Sequence, residues 1–399
     1  MILSLTKETS QKNINNKDDL VMNNKPLVSI IVPVRNAERT LEQTFEYLFK
    51  VQYPHDKLEI IIADGGSSDS TVQVIKSWQV KYPFITLVEV PNCPSPGFAR
   101  NKAIVKAKGD YLLFTDGDCA PEPDWIEQLL LPFSKDESIG GVGGEIHTLR
   151  TDKENITESY CEQVGFLSVR GRFSIKEEGL MPKLTDFSPS QVSAHRAPFF
   201  ATANVIFSKK AIEKAGAFFW DHPTGEDVDF SIQIQKAGFK LYYAPKAIVN
   251  HMHRVDMKSF NKQWFGYGKG HSYLVEKHAT STFEIVFQCI PGNPLLKIPS
   301  PLKGLVYLGN FHMIALTFVM ALISLIGSLV LPGLLTLGLI FFVLWLFFMY
   351  RYFNGCINLV PKKNFFTWCY IKWITNYWFI KGGLEGTKKT GILYIEPSW

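Results

Sequence analysis

The chain has 399 residues, a formal net charge of +5 and 46% hydrophobic residues, and its apolar residues crowd into positions 305–350. So small a charge, with no basic block interleaved with aromatics, excludes a nucleic-acid-binding stripe. The six cysteines (Cys93, Cys119, Cys161, Cys289, Cys356 and Cys369) form no Cys-x-x-Cys pair, which argues against structural zinc or a secreted disulfide framework and leaves reduced residues packed in cores or lipid.

Residues 1–26, polar and without a long apolar run, are expected to be a flexible tail carrying no signal peptide, so that the domain after them stays cytoplasmic. Residues 27–32 (LVSIIV) read as a buried parallel strand ended by Pro33. Leu41, Phe45, Leu48 and Phe49 then recur at helical spacing. Residues 58–63 (LEIIIA) form the second strand, and Ser70 is placed to cap a helix carrying Val72, Ile75 and Trp78. Residues 85–90 (ITLVEV) are the third strand, a helix ending near Gly109 follows, and residues 110–115 (DYLLFT) are the fourth strand. This order predicts an α/β fold with a mostly parallel sheet flanked by helices, whose ligands bind beyond the carboxyl ends of the strands.

Residues 131–198 are less regular. The glycines of GGVGGEI mark a turn or a close backbone approach, and residues 176–197 are expected to form a mobile loop over the site. Residues 199–208 return to strand composition, and short helices follow at 209–215 and 227–237. Residues 305–331 and 334–350 are charge-free, long enough to span a bilayer, and separated by Pro332-Gly333. Lys303 before them, and Arg351, Lys362 and Lys363 after them, put both ends in the cytoplasm. Asn310 and His312 are expected to make interfacial contacts, and residues 365–380, aromatic around Lys372, to form an interfacial helix.

Three acidic segments carry chemistry. In TDGDC, Asp116 and Asp118 sit one residue apart in a turn after a buried strand, a placement that suits Mg²⁺ or Mn²⁺. In DGGSSDST, Asp64 is placed to accept hydrogen bonds from a nucleobase or ribose, while Asp69 or Ser70 caps the turn. In PTGEDVDF, Glu226 and Asp227 stand at a helix N-terminus, either as structural caps or as a catalytic pair.

The ordered set VSIIVPVRNAERTL, IIADGGSSDST, GFARNKAIVKAKGDYLLFTDGDC, ATANVIFSKKAIEKAGAF and TGEDVDFSIQIQKAGFKLYYAP resembles family-2 glycosyltransferases with the GT-A fold. That resemblance implies an inverting, metal-dependent transfer from a UDP- or GDP-sugar. It implies further that Pro33, Arg35 and Glu38 line the nucleotide pocket with Asp64, and that Arg100 lies near the donor. Asp118 is then the direct metal ligand, Asp116 faces ribose or metal, Asp227 is the catalytic base, and Asn204 faces sugar or acceptor with Glu226. Some relatives complete the metal shell with a later histidine, here His251 or His253. Processive relatives carry a Gln-x-x-Arg-Trp motif, whereas this chain has Gln263 directly before Trp264. It is therefore more similar to non-processive enzymes of exopolysaccharide and lipid-linked glycan assembly, the succinoglycan type included. Gln263 and Trp264 are candidates for acceptor contact, or parts of an amphipathic helix on the membrane.

The expected organisation is a tail (1–26), a GT-A catalytic domain (27–253), an acceptor-side and membrane-interface segment (254–303), a two-helix transmembrane hairpin (304–353) and an interfacial C-terminal segment (354–399). The expected activity is sugar transfer to a hydroxyl of a membrane-associated, lipid-linked glycan, by a multi-pass cell-membrane protein whose catalytic domain faces the cytoplasm. Rival readings are a polyprenyl-phosphate sugar transferase and a non-catalytic membrane scaffold that binds nucleotide sugar.

Overall fold

Short aliphatic runs alternating with amphipathic segments produce alternating strands and helices. The computed structural model describes residues 25–173, 175, 177–193, 196–222, 224–357 and 364–397. Most of the tail, and Lys362 and Lys363 of the charge argument, lie outside them. The chain divides into two compact units.

The first unit takes the described part of Met1–Leu149 with Leu167–Lys183 and Pro198–Met252. Its strands are β1 (Val28–Val34), β2 (Leu58–Asp64), β3 (Ile85–Glu89), β4 (Tyr111–Phe114), β5 (Cys119–Pro121), β6 (Ile139–Leu149), β7 (Gly179–Leu180), β8 (Val205–Ser208) and β9 (Lys240–Met252). They form one sheet in the order β3-β2-β1-β4-β8-β6-β9-β5, with β7 on β9. β3, β2, β1 and β4 run parallel, β8 is antiparallel between β4 and β6, β9 is parallel to β6, and β5 is antiparallel to β9. The α/β class read from the sequence is the class observed.

β1 is buried along its whole length. Val28, Ile30, Ile31 and Val32 are each 0% exposed, which at about 1.5–3 kcal/mol per side chain anchors the strand inside the sheet. The strand does not end at Pro33 but continues to Val34. The reason lies in the register: pairing with β4 stops at Ile31 opposite Phe114, so Pro33 lies past the last shared rung, where a missing N–H is tolerated. The GGVGGEI glycines lie inside β6 rather than in a turn. A Cβ on Gly143 would stand 2.0 Å from the Phe200 ring, and one on Gly144 2.0 Å from the Ala247 carbonyl, so the close-approach alternative is the one realised.

The second unit comprises Arg150–Phe166, Leu184–Ala197 and His253–Trp399. The segment 176–197, expected as one loop, is thus divided between units and contributes β7 and a short helix, Pro189–Val192. A small sheet orders β11 (Leu295–Pro299), β10 (Thr282–Val286), β12 (Gly304–Tyr307) and β13 (Leu393–Ile395). The stretch expected to begin the first span is therefore β12, and the helix is Asn310–Gly327. It is followed by Leu334–Ile357. Both are long and apolar enough to cross a membrane, and only 22% and 6% of their spanning windows are buried, unlike core helices of a soluble domain. His312 Nδ1 accepts from the Gly309 N–H at 3.3 Å, so it caps the first of these helices.

Helix Phe365–Thr390 is not merely interfacial. It lies against helix Met257–His278 along glycines: a Cβ on Gly268 would meet the Phe379 carbonyl at 1.9 Å, and one on Gly382 the Phe265 carbonyl at 2.0 Å. Trp264, expected at an acceptor or on the membrane surface, is 1% exposed. It packs in a cluster with Phe166, Phe260, Tyr267 and Phe379. Its bulky apolar ring is more stable there than against water, which removes it as a sugar platform. Gln263, one residue earlier, is half-buried and donates to the Tyr267 hydroxyl at 3.1 Å.

Candidate active site

The carboxyl ends of β1, β2 and β4 are joined by side-chain hydrogen bonds. Asn36, with φ of 52°, accepts from the Ser68 N–H at 2.9 Å, and its own N–H donates to Ser67 Oγ at 2.8 Å. The Ala37 N–H donates to Thr71 Oγ1 at 2.7 Å. Thr40 Oγ1 donates to the Gly117 carbonyl at 2.7 Å, which ties the loop after β1 to the DGD turn after β4. Asp64, at the end of β2, is 3% exposed. It accepts from the Gly66 and Ser67 N–H groups at 3.1 and 3.0 Å and from the Ser67 hydroxyl. Asp64 therefore orders its own turn, and a base or ribose contact would use its remaining lone pairs.

Two residues expected to line the nucleotide pocket do other work. Pro33 is buried inside β1, and Glu38 accepts at 2.9 Å from the N–H of Ser70, the residue that precedes helix Thr71–Lys81. Arg35 is exposed at this rim, with Nη1 donating to the Cys93 carbonyl at 3.2 Å.

Arg100 is the centre of the acidic group. It lies on helix Pro96–Ile104, whose N-cap Ser95 accepts from the Phe98 N–H, and it is 2% exposed. Its Nη2 meets Asp116 Oδ1 at 2.7 Å and its Nη1 meets Glu226 Oε1 at 3.0 Å. The guanidinium also sits over the Phe219 ring at 5.5 Å. Asn101 exchanges hydrogen bonds with the Phe219 backbone at 2.7 and 2.8 Å, and Gly97 allows the Trp220 carbonyl within 2.7 Å of where a Cβ would stand. The Ala-Arg-Asn segment thus holds the chain before helix Glu226–Lys236 against the end of β4. Glu226, expected to face sugar or acceptor, is instead 9% exposed and bound to Arg100. Asp227 is half-buried in the first turn, with Oδ1 accepting from the Val228 N–H at 2.8 Å. Burial pushes both carboxyls above their usual range. The Asp227 charge raises Glu226 further and Arg100 draws it back, while the Val228 N–H, Arg172 and Arg100 draw Asp227 back.

The metal-competent group differs from a pair of aspartates. Asp116 faces Arg100, and the atoms that lie together are those of Asp118, Cys119 and His251, within 4.8 Å of one another. His251 Nε2 is 3.4 Å from Asp118 Oδ1. The cause is the β5–β9 ladder, in which Cys119 stands directly opposite His251. Carboxylate oxygen suits hard ions such as Mn²⁺ or Mg²⁺ and imidazole suits transition-metal ions, so the set fits a divalent cation. Burial, with Asp118 and Asp116 nearby, pushes the Cys119 thiol well above its usual value. His253 is outside this group, buried with its ring 5.5 Å from Phe166.

Asn204, expected to face sugar or acceptor, makes its side-chain hydrogen bonds inside the fold. It is 1% exposed, its Nδ2 donates to the carbonyls of Glu145 and Ala247 at 2.8 Å each, and its Oδ1 accepts from Trp125 Nε1 at 2.8 Å. Sequence reading missed the structural use of Asn204 and the approach of Cys119 to His251. The only sequence signal for the latter was a cysteine directly after DGD.

Comparison with known proteins adds the family. The model described as Glycosyl transferase family 2 matches residues 29–216, and that described as Glycosyl transferase family group 2 matches residues 182–380. The chain is 27% identical over 260 residues to a Methanococcus voltae enzyme named dolichyl N-acetyl-alpha-D-glucosaminyl phosphate 3-beta-D-2,3-diacetamido-2,3-dideoxy-beta-D-glucuronosyltransferase, covering 63% of this chain and 74% of the relative. It is 26% identical to the probable glycosyltransferase YdaM of Bacillus subtilis (strain 168), over 66% of this chain and 60% of the relative, so it spans less than two thirds of that protein. A solved mannosyltransferase of Pyrobaculum calidifontis in complex with GDP-Man and Mn²⁺ overlays with a TM-score of 0.45 and 19% identity, over 64% of each chain. The two glycosyl transferase matches together run from residue 29 to residue 380, and this chain belongs to glycosyl transferase family 2 and is a glycosyltransferase.

Proposed function

We propose that this enzyme transfers a sugar, with inversion, from a nucleoside diphosphate sugar to a hydroxyl of a lipid-linked glycan, at the cytoplasmic face of a membrane crossed by helices Asn310–Gly327 and Leu334–Ile357. One observation carries the reading: Arg100 joins Asp116 after β4 to Glu226 beside Asp227, which brings the acids of two distant segments to the end of the sheet where Asp118 and His251 also meet. The printed name of the Methanococcus relative, a transferase acting on a dolichyl phosphate-linked sugar, supports the acceptor class. The exposed apolar helices support a reaction at the bilayer, where tethering raises the effective acceptor concentration.

In this reading Asp227 takes the proton of the acceptor hydroxyl as its oxygen attacks the anomeric carbon and the bond to the diphosphate breaks. Asp227 is suited to the role because it remains accessible while its neighbour Glu226 is fixed by Arg100. Asp118 and His251 would hold Mn²⁺ or Mg²⁺, which when bound neutralises the departing diphosphate. Arg35, exposed at the rim, is placed for a donor phosphate or base, and Asp64 holds the turn on which the nucleotide would rest.

The test uses the full chain in lipid nanodiscs. Asp227→Asn is expected to lower transfer about 10²–10⁴-fold while leaving the thermal shift by donor nucleotide sugar intact. Retained turnover rejects the base assignment. Product carrying the sugar directly on a monophosphate lipid, rather than on a glycan hydroxyl, rejects the acceptor class.

A further inference from the structure

Residues 290–302 read IPGNPLLKIPSPL, an apolar stretch interrupted by four prolines. Part of it is β11, an edge strand bonded among the described residues to β10 alone, with Leu296 opposite Ile285 and Ile298 opposite Phe283. Its large apolar side chains face outward: Ile290, Leu295, Leu296 and Ile298 are exposed, and Leu302 is 72% exposed. Lys297 among them is exposed too, but polar. It is drawn to Asp186 at 2.8 Å and Glu284 at 3.3 Å, and by strand alternation Leu296 and Ile298 point to the opposite face.

The position of this stretch is fixed by backbone bonds. The Leu308 N–H donates to the Val286 carbonyl at 2.8 Å, and the Cys289 N–H donates to the Leu308 carbonyl at 3.0 Å, just before helix Asn310–Gly327 begins. The Cys289 carbonyl accepts from Arg351 Nη1 at 2.6 Å, near the end of helix Leu334–Ile357. The loop that leads into β11 is therefore tied to the same end of both apolar helices, at the level where a bilayer surface would lie.

We infer that residues 290–302 form a lipid-dipping surface, seated at the headgroup and upper acyl level of the bilayer that the two helices cross. The inference rests on the membrane reading given above. Contact at this depth, about 5–10 Å, keeps the open strand edge where water and headgroups can bond it. Pro291, Pro294, Pro299 and Pro301 carry no N–H, so the segment presents few unpaired donors and resists strand pairing with a second copy. That preference favours lipid over a protein partner.

The experiment places the full-length enzyme in nanodiscs of phosphatidylcholine and phosphatidylglycerol containing a phosphatidylcholine with a photoactivatable diazirine high on its acyl chain, and maps the labelled peptides by mass spectrometry. Labelling of the two helices together with residues 290–302, and loss of the latter alone in Leu296→Glu/Ile298→Glu, supports the inference. Labelled helices with an unlabelled 290–302 segment, whether water or a second copy covers it, overturn the inference and leave the membrane reading standing. If neither the helices nor the segment is labelled, both fall.

Discussion

Arg100 satisfies two carboxylates that face it from the end of β4 and from helix Glu226–Lys236. Its removal leaves the nearly buried Glu226 without its cation. Arg100→Ala is therefore expected to destabilise the protein by about 3–5 kcal/mol, seen as a lower melting temperature of the detergent-solubilised enzyme. Arg100→Lys should recover only part of that, because one ammonium cannot reproduce the two-pronged geometry. Titration belongs to this scale too. Glu226 and Asp227 have raised pKa values in the fold, chiefly through burial, so the folded state binds more protons than the unfolded chain above the normal carboxylate range. Their contribution to stability is present at low pH and declines as pH rises through the folded values. For catalysis the base must be ionised, so the acid limb of kcat/KM is expected above the ordinary aspartate value of about 4. Glu226→Gln should leave that limb in place, because burial is the main cause of the Asp227 rise, while a limb that moves to lower pH shows that the Glu226 charge acts on the base. At the metal group, Asp118→Ala and His251→Ala should each abolish the stabilisation that Mn²⁺ gives in a thermal-shift assay, while Asp116→Asn retains it.

Helix pairing and strand register decide the next level. Helices Met257–His278 and Phe365–Thr390 approach closely because glycines face the opposing backbone, with hypothetical Cβ contacts of 1.9 Å to the Phe379 carbonyl at Gly268 and 2.7 Å to the Lys269 carbonyl at Gly386. Gly268→Ala or Gly386→Ala must push the helices apart, and a cost of about 1–3 kcal/mol is expected from overpacking, measured by thermal unfolding. Gly391, whose φ is 72° at the end of the second helix, is open to side chains but strained by them. The β5–β9 ladder acts in the same way on chemistry, since a one-residue slip would turn Cys119 and His251 to opposite faces and dissolve the cluster with Asp118.

For the molecule as a whole, the exposed faces of helices Asn310–Gly327 and Leu334–Ile357 carry leucine, isoleucine, valine and phenylalanine, a surface that water does not tolerate. The protein is expected to stay in the membrane pellet through alkaline carbonate extraction, and its release into the supernatant would contradict the spanning hairpin. Much of this was legible in the order of residues. The parallel β1–β4 core follows from four short aliphatic runs separated by amphipathic segments, because burial on both faces requires such runs. The apolar helices follow from charge-free composition, because charge in a bilayer core is costly. Asp116 and Asp118 stand out because they end a buried strand, and Asp227 because it opens a helix. What only the tertiary structure decided is partnership across the chain: Arg100 bound to Glu226, Cys119 brought opposite His251, Asn204 consumed by two carbonyls and an indole, and Trp264 buried instead of displayed. Local sequence sets which residues can make strands, helices and turns. It leaves open which of several equally polar side chains meets which, because that depends on sheet order and register between segments far apart in the chain.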